Sequence, residues 1–215
     1  MQHVLVDVFK LYHIFYMDAD QQTLSIPNAK LHESDIKFIK QFYIFLTKIC
    51  EGKPDVSVSD TFPTRFDVIV SNPPTFTIKD LKQVDMMSTN IKDVIFNMKK
   101  NEVRLNILKH GNKSKKRGRD IEPVDIPKHY NFKDVDKNDM KHIKSLCGFL
   151  LSLSEIEISL NIKKETLDYA MEITDIENIH MKDIIHIHDK FNAFITSFSI
   201  DTAQKKIKMI INKVS

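Results

Sequence analysis

Glycine is scarce in this sequence. The 215 residues include only four, Gly52, Gly111, Gly118 and Gly148. Loops that hold phosphates or dinucleotide cofactors need the backbone to approach the ligand closely, which usually requires clustered glycines. The chain has no such cluster, so the sequence argues strongly against nucleotide-binding folds of the P-loop or dinucleotide type.

Cysteines and long apolar runs are also few. Cys50 and Cys147 are far apart, and each lies in an apolar helical pattern, which predicts buried thiols in a reducing compartment. Lys, His or Asp interrupts every apolar stretch, so no membrane-spanning segment is expected. The apolar N-terminus lacks the basic start and small-residue cleavage site of a signal peptide. These features predict a soluble intracellular protein.

The positive charge of the chain is concentrated in one short run. The formal net charge is +3, and the run KSKKRGR contains no acid and supplies five cations, Lys113, Lys115, Lys116, Arg117 and Arg119. Without this run the remainder is slightly acidic. Three interpretations stay open for the run: a nuclear-import signal, a loop that contacts nucleic-acid phosphates, or a solvated linker. No aromatic residue is interleaved, so stacking on single-stranded bases is not indicated.

The same region predicts a division of the chain into two parts. Residues 111–127 combine two glycines, two prolines and the basic run, a composition typical of a linker. We therefore expect an N-terminal α+β domain at 1–110, a basic hinge at 111–127 and a C-terminal α+β domain at 128–215. In each domain, helix is expected to pack on an antiparallel sheet.

The apolar spacing predicts individual elements on both sides of the hinge. Helices are predicted from a Ser34 cap to about residue 50, after a Thr77 cap, over 91–98, and from an Asp136 or Asn138 cap to Leu151. Strands are predicted at 4–17, 24–27, 66–70, 154–162, 167–173, 182–188, 194–200 and 205–211. Residues 101–108 fit either the end of the preceding helix or a strand, and the alternation of Val103, Leu105 and Ile107 favours a strand.

Two short motifs could carry chemistry, and each has a simpler interpretation. Asn72-Pro73-Pro74 after a strand resembles the catalytic loop of amino-group methyltransferases, but Thr75 separates it from Phe76 and no glycine-rich loop lies upstream. His186 and His188 would share one face of a strand, as metal ligands do, without a third ligand nearby. We interpret the first as a strand ending in a proline turn and the second as solvent-facing. No catalytic residue, metal site or cofactor is predicted.

From the hinge onward, the order of elements resembles a sliding-clamp domain, as in proliferating-cell nuclear antigen and the phage clamps. Ile126-Pro127 would end the interdomain connector, and 132–135 would form the entering strand. Residues 140–151 would be the helix that faces DNA, with Lys137, Lys141 and Lys144 on or just before one face. The hairpin over 194–215 is similar to the C-terminal hairpin of such clamps. A clamp domain has a second helix, and the pattern predicts none after Ile179.

The resemblance implies a non-enzymatic factor that closes into a ring by pairing of edge strands. It implies non-specific contact with the DNA backbone and a polymerase or other protein partner. We therefore expect a clamp-like processivity or accessory factor for replication, repair or viral late transcription, in the nucleus or, for a virus, in the host nucleus or cytoplasm. The alternatives are an adaptor subunit of a nuclear or viral complex, with the run 113–119 as import signal, and, more remotely, a degenerate methyltransferase-like domain.

Overall fold

A computed structural model describes residues 24–25, 31–112, 121–154 and 158–214. Within these ranges the chain forms four helices, α1 Glu33–Ile49, α2 Ile78–Met87, α3 Met140–Leu151 and α4 Met181–Phe191. It also forms eleven strands, β1 Leu24–Ser25, β2 Asp55–Phe62, β3 Arg65–Ser71, β4 Phe76–Thr77, β5 Ile91–Asn97, β6 Glu102–Leu108, β7 Ser159–Lys164, β8 Asp168–Thr174, β9 Asn178–His180, β10 Ile195–Asp201 and β11 Lys206–Asn212. Helices pack on two sheets, which confirms the predicted α+β class.

The two sheets repeat one strand order. β2, β3, β6 and β5 are neighbours in the first sheet, and β7, β8, β11 and β10 are neighbours in the second. All these pairs are antiparallel. Along the chain, each half runs helix, two strands, a short strand, helix, two strands. The described residues therefore contain one arrangement twice, although the sequence shows no obvious repeat.

Each sheet is completed by a short strand from the other half of the chain. β9 pairs with β5 in the first sheet, and β4 pairs with β10 in the second. β1 adds a parallel strand beside β2 at the far edge of the first sheet. Reciprocal pairing requires the two halves to fold around each other. This exchange of strands does not test the predicted domain boundaries on either side of the hinge, and they stay a prediction.

Local sequence explains where several elements begin. Thr77 caps α2 as predicted: its hydroxyl accepts from the main-chain N–H of Asp80, and the Asp80 carboxylate accepts from the Thr77 N–H. α1 is capped by His32 instead of Ser34, and its side chain accepts from the main-chain N–H of Ser34. α3 is preceded by Asp139, so the prediction of Asp136 or Asn138 as its cap is wrong.

Two elements differ in kind from the prediction. Residues 91–97 form β5 instead of a helix, because a bulge between Ile91 and Asp93 brings Ile91 and Val94 to one face. That three-residue spacing imitates a helix. Residues 182–188, predicted as a strand, belong to α4, whose buried positions Met181, Ile184 and Ile187 recur every three residues. α4 follows Ile179, so the second half of the chain has a second helix where the pattern predicted none.

Other predicted strands are confirmed or shortened. β3, β6, β8 and the β10–β11 hairpin lie where alternation predicts them. Residues 132–135 form no strand and lie in turns, which corrects the predicted entering strand. The strand predicted at 154–162 begins at Ser159, with 155–157 outside the described residues. The segment 4–17 and the run 113–119 also lie outside them.

A single apolar cluster joins helices and sheets. It includes Leu46 of α1, Val68 of β3, Cys147 of α3 and Met171 of β8, all of them buried. No helix in the described part of the chain has both the length and the apolar character to cross a bilayer. The core therefore fixes the helices against the sheets and leaves one face of each helix to solvent.

Candidate nucleic-acid interface

The four helices contact one another in a fixed order. α1 packs on α2, α2 on α4, and α4 on α3. The order follows from the exchange of strands, because α2 is carried with β4 and α4 with β9. The two exchanged helices therefore lie side by side, with α1 and α3 outside them.

Lysine dominates the solvent-facing sides of these helices. Nine lysines lie on them and none is buried: Lys37, Lys40, Lys48, Lys79, Lys82, Lys141, Lys144, Lys182 and Lys190. The helical carboxylates that are not buried number four: Glu33, Asp80, Asp85 and Asp189. Among the described residues, the helices thus carry an excess of positive charge where they meet solvent, a property that favours polyanionic partners.

The three lysines predicted for a DNA-facing helix are all exposed. Lys141 and Lys144 lie on α3, one turn apart, whereas Lys137 lies in the turn before the helix. The ammonium of Lys144 sits 5.5 Å from the ring centroid of Phe132, a cation–π distance. Lys141 makes no hydrogen bond or ion pair with the described residues, and its ammonium is open to a ligand. The fold thus groups Lys141 with Lys144 and sets Lys137 apart.

Other lysines of the helical surface were not predicted. The ammonium of Lys190 on α4 lies 4.2 Å from the ring centroid of Phe149 on α3, so a basic group of α4 reaches the neighbouring helix. Lys82 of α2 pairs with Asp189 of α4 at 2.6 Å. That pairing holds the pKa of the Asp189 carboxyl below its usual range. Lys190 directly follows the segment 182–188. Because that segment was predicted as a strand, Lys190 was not predicted to lie on a helix.

A polar cluster built around buried Tyr169 and Asp139 fixes the start of α3. The Tyr169 hydroxyl lies 2.7 Å from Oδ2 of Asp139 and 3.0 Å from Oδ2 of Asp136. Oδ1 of Asp139 accepts from the main-chain N–H of Val214 at 2.8 Å. The hydrogen bond from Lys164 holds the pKa of Asp136 low, and burial raises that of Tyr169. The cluster joins α3 to β8 and to the end of the chain, which orients the helix that carries Lys141.

The proline motif has a structural role at the end of β3. Asn72 has a φ of 48°, and its Oδ1 accepts from Nδ2 of Asn101 at 2.8 Å. Oδ1 of Asn101 in turn accepts from the Thr202 hydroxyl at 2.7 Å. The Asn72 oxygen that could bind a substrate amine is thus hydrogen-bonded between two turns of the first sheet, and Asn101 links these turns to the Thr202 turn of the second sheet.

The histidine motif does not present two imidazoles together. His186 and His188 lie two residues apart on α4, so they point about 200° apart around the helix axis. The described residues contain no group of three or more His, Cys, Asp or Glu placed to hold a metal ion. Cys147 is buried and burial raises its pKa to about 12, so it is a poor nucleophile at neutral pH.

One edge of the second sheet has no described neighbour. β7 pairs with β8 on one side and ends the sheet on the other. Its apolar residues Leu160 and Ile162 are only half-buried. The equivalent strand of the first sheet, β2, receives the parallel strand β1 at this position. β7, with six residues, is therefore the longer of the two edges of this sheet at which a further strand could be added.

Comparison of the chain with protein-family models, with curated proteins and with solved structures finds no significant match. Any proposal about function therefore depends on the fold and on the residues described above.

Proposed function

We propose that this protein is a non-enzymatic, clamp-like accessory factor that associates with the DNA backbone through the exposed faces of its four helices. The observation that carries the proposal is the doubled arrangement of two helices and a sheet, with nine unburied lysines on the helices. Clamps need such a helical face with modest positive charge, and they need no catalytic group.

The second half now has the two helices that a clamp domain requires. α4 supplies the second helix that the sequence pattern did not predict after Ile179. Closing a ring by strand pairing needs two edges on each subunit, and β7 and β1 each end a sheet in the described part of the chain. These two edges support the further proposal that copies of the chain, or a related subunit, join into a ring. A polymerase or another protein of the DNA machinery is the proposed partner, and the nucleus, or a viral replication site in the host nucleus or cytoplasm, is the proposed location.

Binding to DNA can be tested through its dependence on salt. We expect the triple variant Lys37→Gln, Lys79→Gln, Lys141→Gln to weaken binding to a duplex of mixed sequence. The slope of log K against log salt should fall in magnitude by roughly 2 to 3, about 0.9 per lost phosphate contact. None of the three ammonium groups has a hydrogen bond or ion pair within the described residues, so the folded state should not suffer.

A matched control removes the same charge elsewhere. Lys100→Gln, Lys205→Gln, Lys208→Gln changes three exposed lysines on a strand or in turns of the sheets. This variant should keep most of the affinity and most of the slope. Equal losses in the two triple variants would show that net charge alone governs binding, and would overturn the helical interface.

Ring formation needs a separate measurement. A ring should be retained on nicked circular DNA and should slide off the same DNA after it is cut. Sedimentation should show an assembly larger than one chain at micromolar concentration. A strict monomer that dissociates equally from circular and linear DNA would overturn the clamp and favour the adaptor subunit, with the run 113–119 serving nuclear import.

A further inference from the structure

The segment 121–127, called the strap below, crosses the last turn of α3. The main-chain N–H of Val124 donates to the main-chain oxygen of Gly148 at 3.1 Å. That oxygen is one of the last four carbonyls of α3, which lack partners inside the helix. Ile121 and Ile126, on either side, pack partly buried against the core. The strap is therefore fastened at both ends and hydrogen-bonded in the middle.

Gly148 lies on the outward side of α3 but is buried. It is four residues after Lys144 and three after Ser145, so it continues the exposed stripe of the helix by one turn. A Cβ at this position would lie 2.9 Å from the Val124 oxygen and 3.2 Å from Cβ of Pro123. Only glycine lets the strap lie this close. The strap thus covers the end of the stripe that carries Lys141 and Lys144.

The strap brings negative charge to this basic stripe. Glu122 and Asp125 are both exposed and immediately flank Pro123 and Val124, the two residues closest to Gly148. The strap contacts Gly148, one helical turn beyond Lys144, and carboxylates on such a segment repel a DNA phosphate that approaches the same helix. Nucleic acid can reach the last turn of α3 only where the strap is not seated.

We propose that the strap is a built-in competitor of DNA: seated on Gly148, it blocks the end of α3 and opposes phosphate binding, and DNA binding displaces it. The inference rests on the proposed function, because it needs the face of α3 to bind DNA. Linkage then requires that DNA loosen the strap by the same factor that the seated strap weakens DNA binding.

The first test is Gly148→Ala. The added methyl group would clash with the strap, while alanine is a better helix former than glycine. We expect faster hydrogen exchange across 121–127 and duplex binding tightened by about fivefold or more. Ser145→Ala, on the same stripe, is the matched control and should change neither. A released strap with unchanged affinity would overturn the proposal.

A second variant leaves the packing of α3 intact. Glu122→Gln, Asp125→Asn should tighten duplex binding at low salt while hydrogen exchange across 121–127 stays as in the wild type. Adding duplex to the wild type should speed exchange in the strap. Unchanged affinity for this variant, or a strap whose exchange DNA does not alter, would count against the competition.

The same experiments separate failure of the strap from failure of the proposed function. If the wild type binds DNA and neither variant binds more tightly, the strap proposal fails and the interface on the helices survives. If neither the wild type nor Gly148→Ala binds duplex at low salt, although the strap is released, the DNA-binding function itself fails and the strap proposal with it. Binding by Gly148→Ala but not by the wild type would support both.

Discussion

The ring of Phe76 meets the ring of Phe96 edge-on, with centroids 5.4 Å apart and planes at 77°. Phe76 belongs to β4 in the second sheet, and Phe96 belongs to β5 in the first. Both rings are buried. This contact joins the two sheets at the point where they exchange short strands, so the stability of one sheet depends on the other.

Phe76→Ala should therefore destabilise the whole described fold. We expect the free energy of unfolding to fall by about 3 to 5 kcal/mol, because a buried aromatic ring is removed. Urea denaturation followed by far-ultraviolet circular dichroism should show one transition at a lower midpoint. Met86→Ala on α2, a side chain 78% exposed, is the control and should change the free energy by less than about 0.5 kcal/mol. Two transitions, only one of them shifted, would contradict the coupling of the sheets.

Local sequence patterns predicted the elements whose periodicity or capping residues are unambiguous. The β10–β11 hairpin alternates cleanly, and Thr77 lies three residues before the aspartate that completes its capping box. β5 was missed because its bulge imitates helical spacing, and α4 because a short stretch of alternation outweighed a longer helical period. Both errors arise from windows of about seven residues, in which the two periods are hard to distinguish.

Sequence patterns could not predict that β4 and β9 pair with strands of the other half of the chain. These strands have two and three residues, and their partners lie more than 80 residues away in the chain. The same limit applied to the candidate interface. Lys141 and Lys144 were predicted from one helix, whereas the contribution of Lys190 depends on α4 packing against α3. Long-range pairing, and not local propensity, brings the basic helices together.

Removal of the Tyr169 hydroxyl should weaken the hold on α3. Tyr169→Phe leaves Asp139, which is buried, without one of its hydrogen-bond donors, and should lower the free energy of unfolding by about 1 to 3 kcal/mol at pH 7. Urea denaturation measures the loss. Tyr130→Phe, whose hydroxyl donates from a half-buried position to the main-chain oxygen of Ile158, is the comparison and should cost less.

The same variant should alter the response to alkaline pH. Burial raises the pKa of Tyr169, so the neutral phenol is favoured in the folded protein. Its contribution to stability is fully present below the unfolded pKa of about 10 and is lost as the pH rises toward the higher folded pKa. Wild-type stability should therefore decline above about pH 10 more steeply than that of Tyr169→Phe. Parallel curves for the two proteins would show that the phenol does not titrate with unfolding.

The ion pair between α2 and α4 should contribute little, and only above acidic pH. The hydrogen bond from Lys82 lowers the pKa of Asp189, so the stabilisation is present above the unfolded pKa of about 3.9 and is lost as the pH falls through the folded value. Both side chains are about half exposed, so Asp189→Asn should cost less than about 1 kcal/mol at pH 7. The difference from the wild type should shrink as the pH falls below the unfolded pKa.

A double-mutant cycle with Lys82→Gln isolates this pair. The two single changes should be less than additive, because each already removes the interaction. Lys79→Gln, one turn away without an ion pair among the described residues, is the control and should add fully to Asp189→Asn. Full additivity in both combinations would mean that Lys82 and Asp189 do not interact in solution.

The two thiols should differ sharply in their reaction with a disulfide reagent. Cys147 is buried and burial raises its pKa to about 12, whereas Cys50 is only half-buried and its pKa is raised by burial as well. Since the thiolate is the reactive species, Ellman's reagent at pH 8 should titrate one thiol slowly in the native protein and both rapidly in guanidinium. In Cys50→Ser the remaining thiol should react only as fast as the protein unfolds. Prompt reaction of native Cys50→Ser would show that Cys147 is accessible and that α3 does not pack as described.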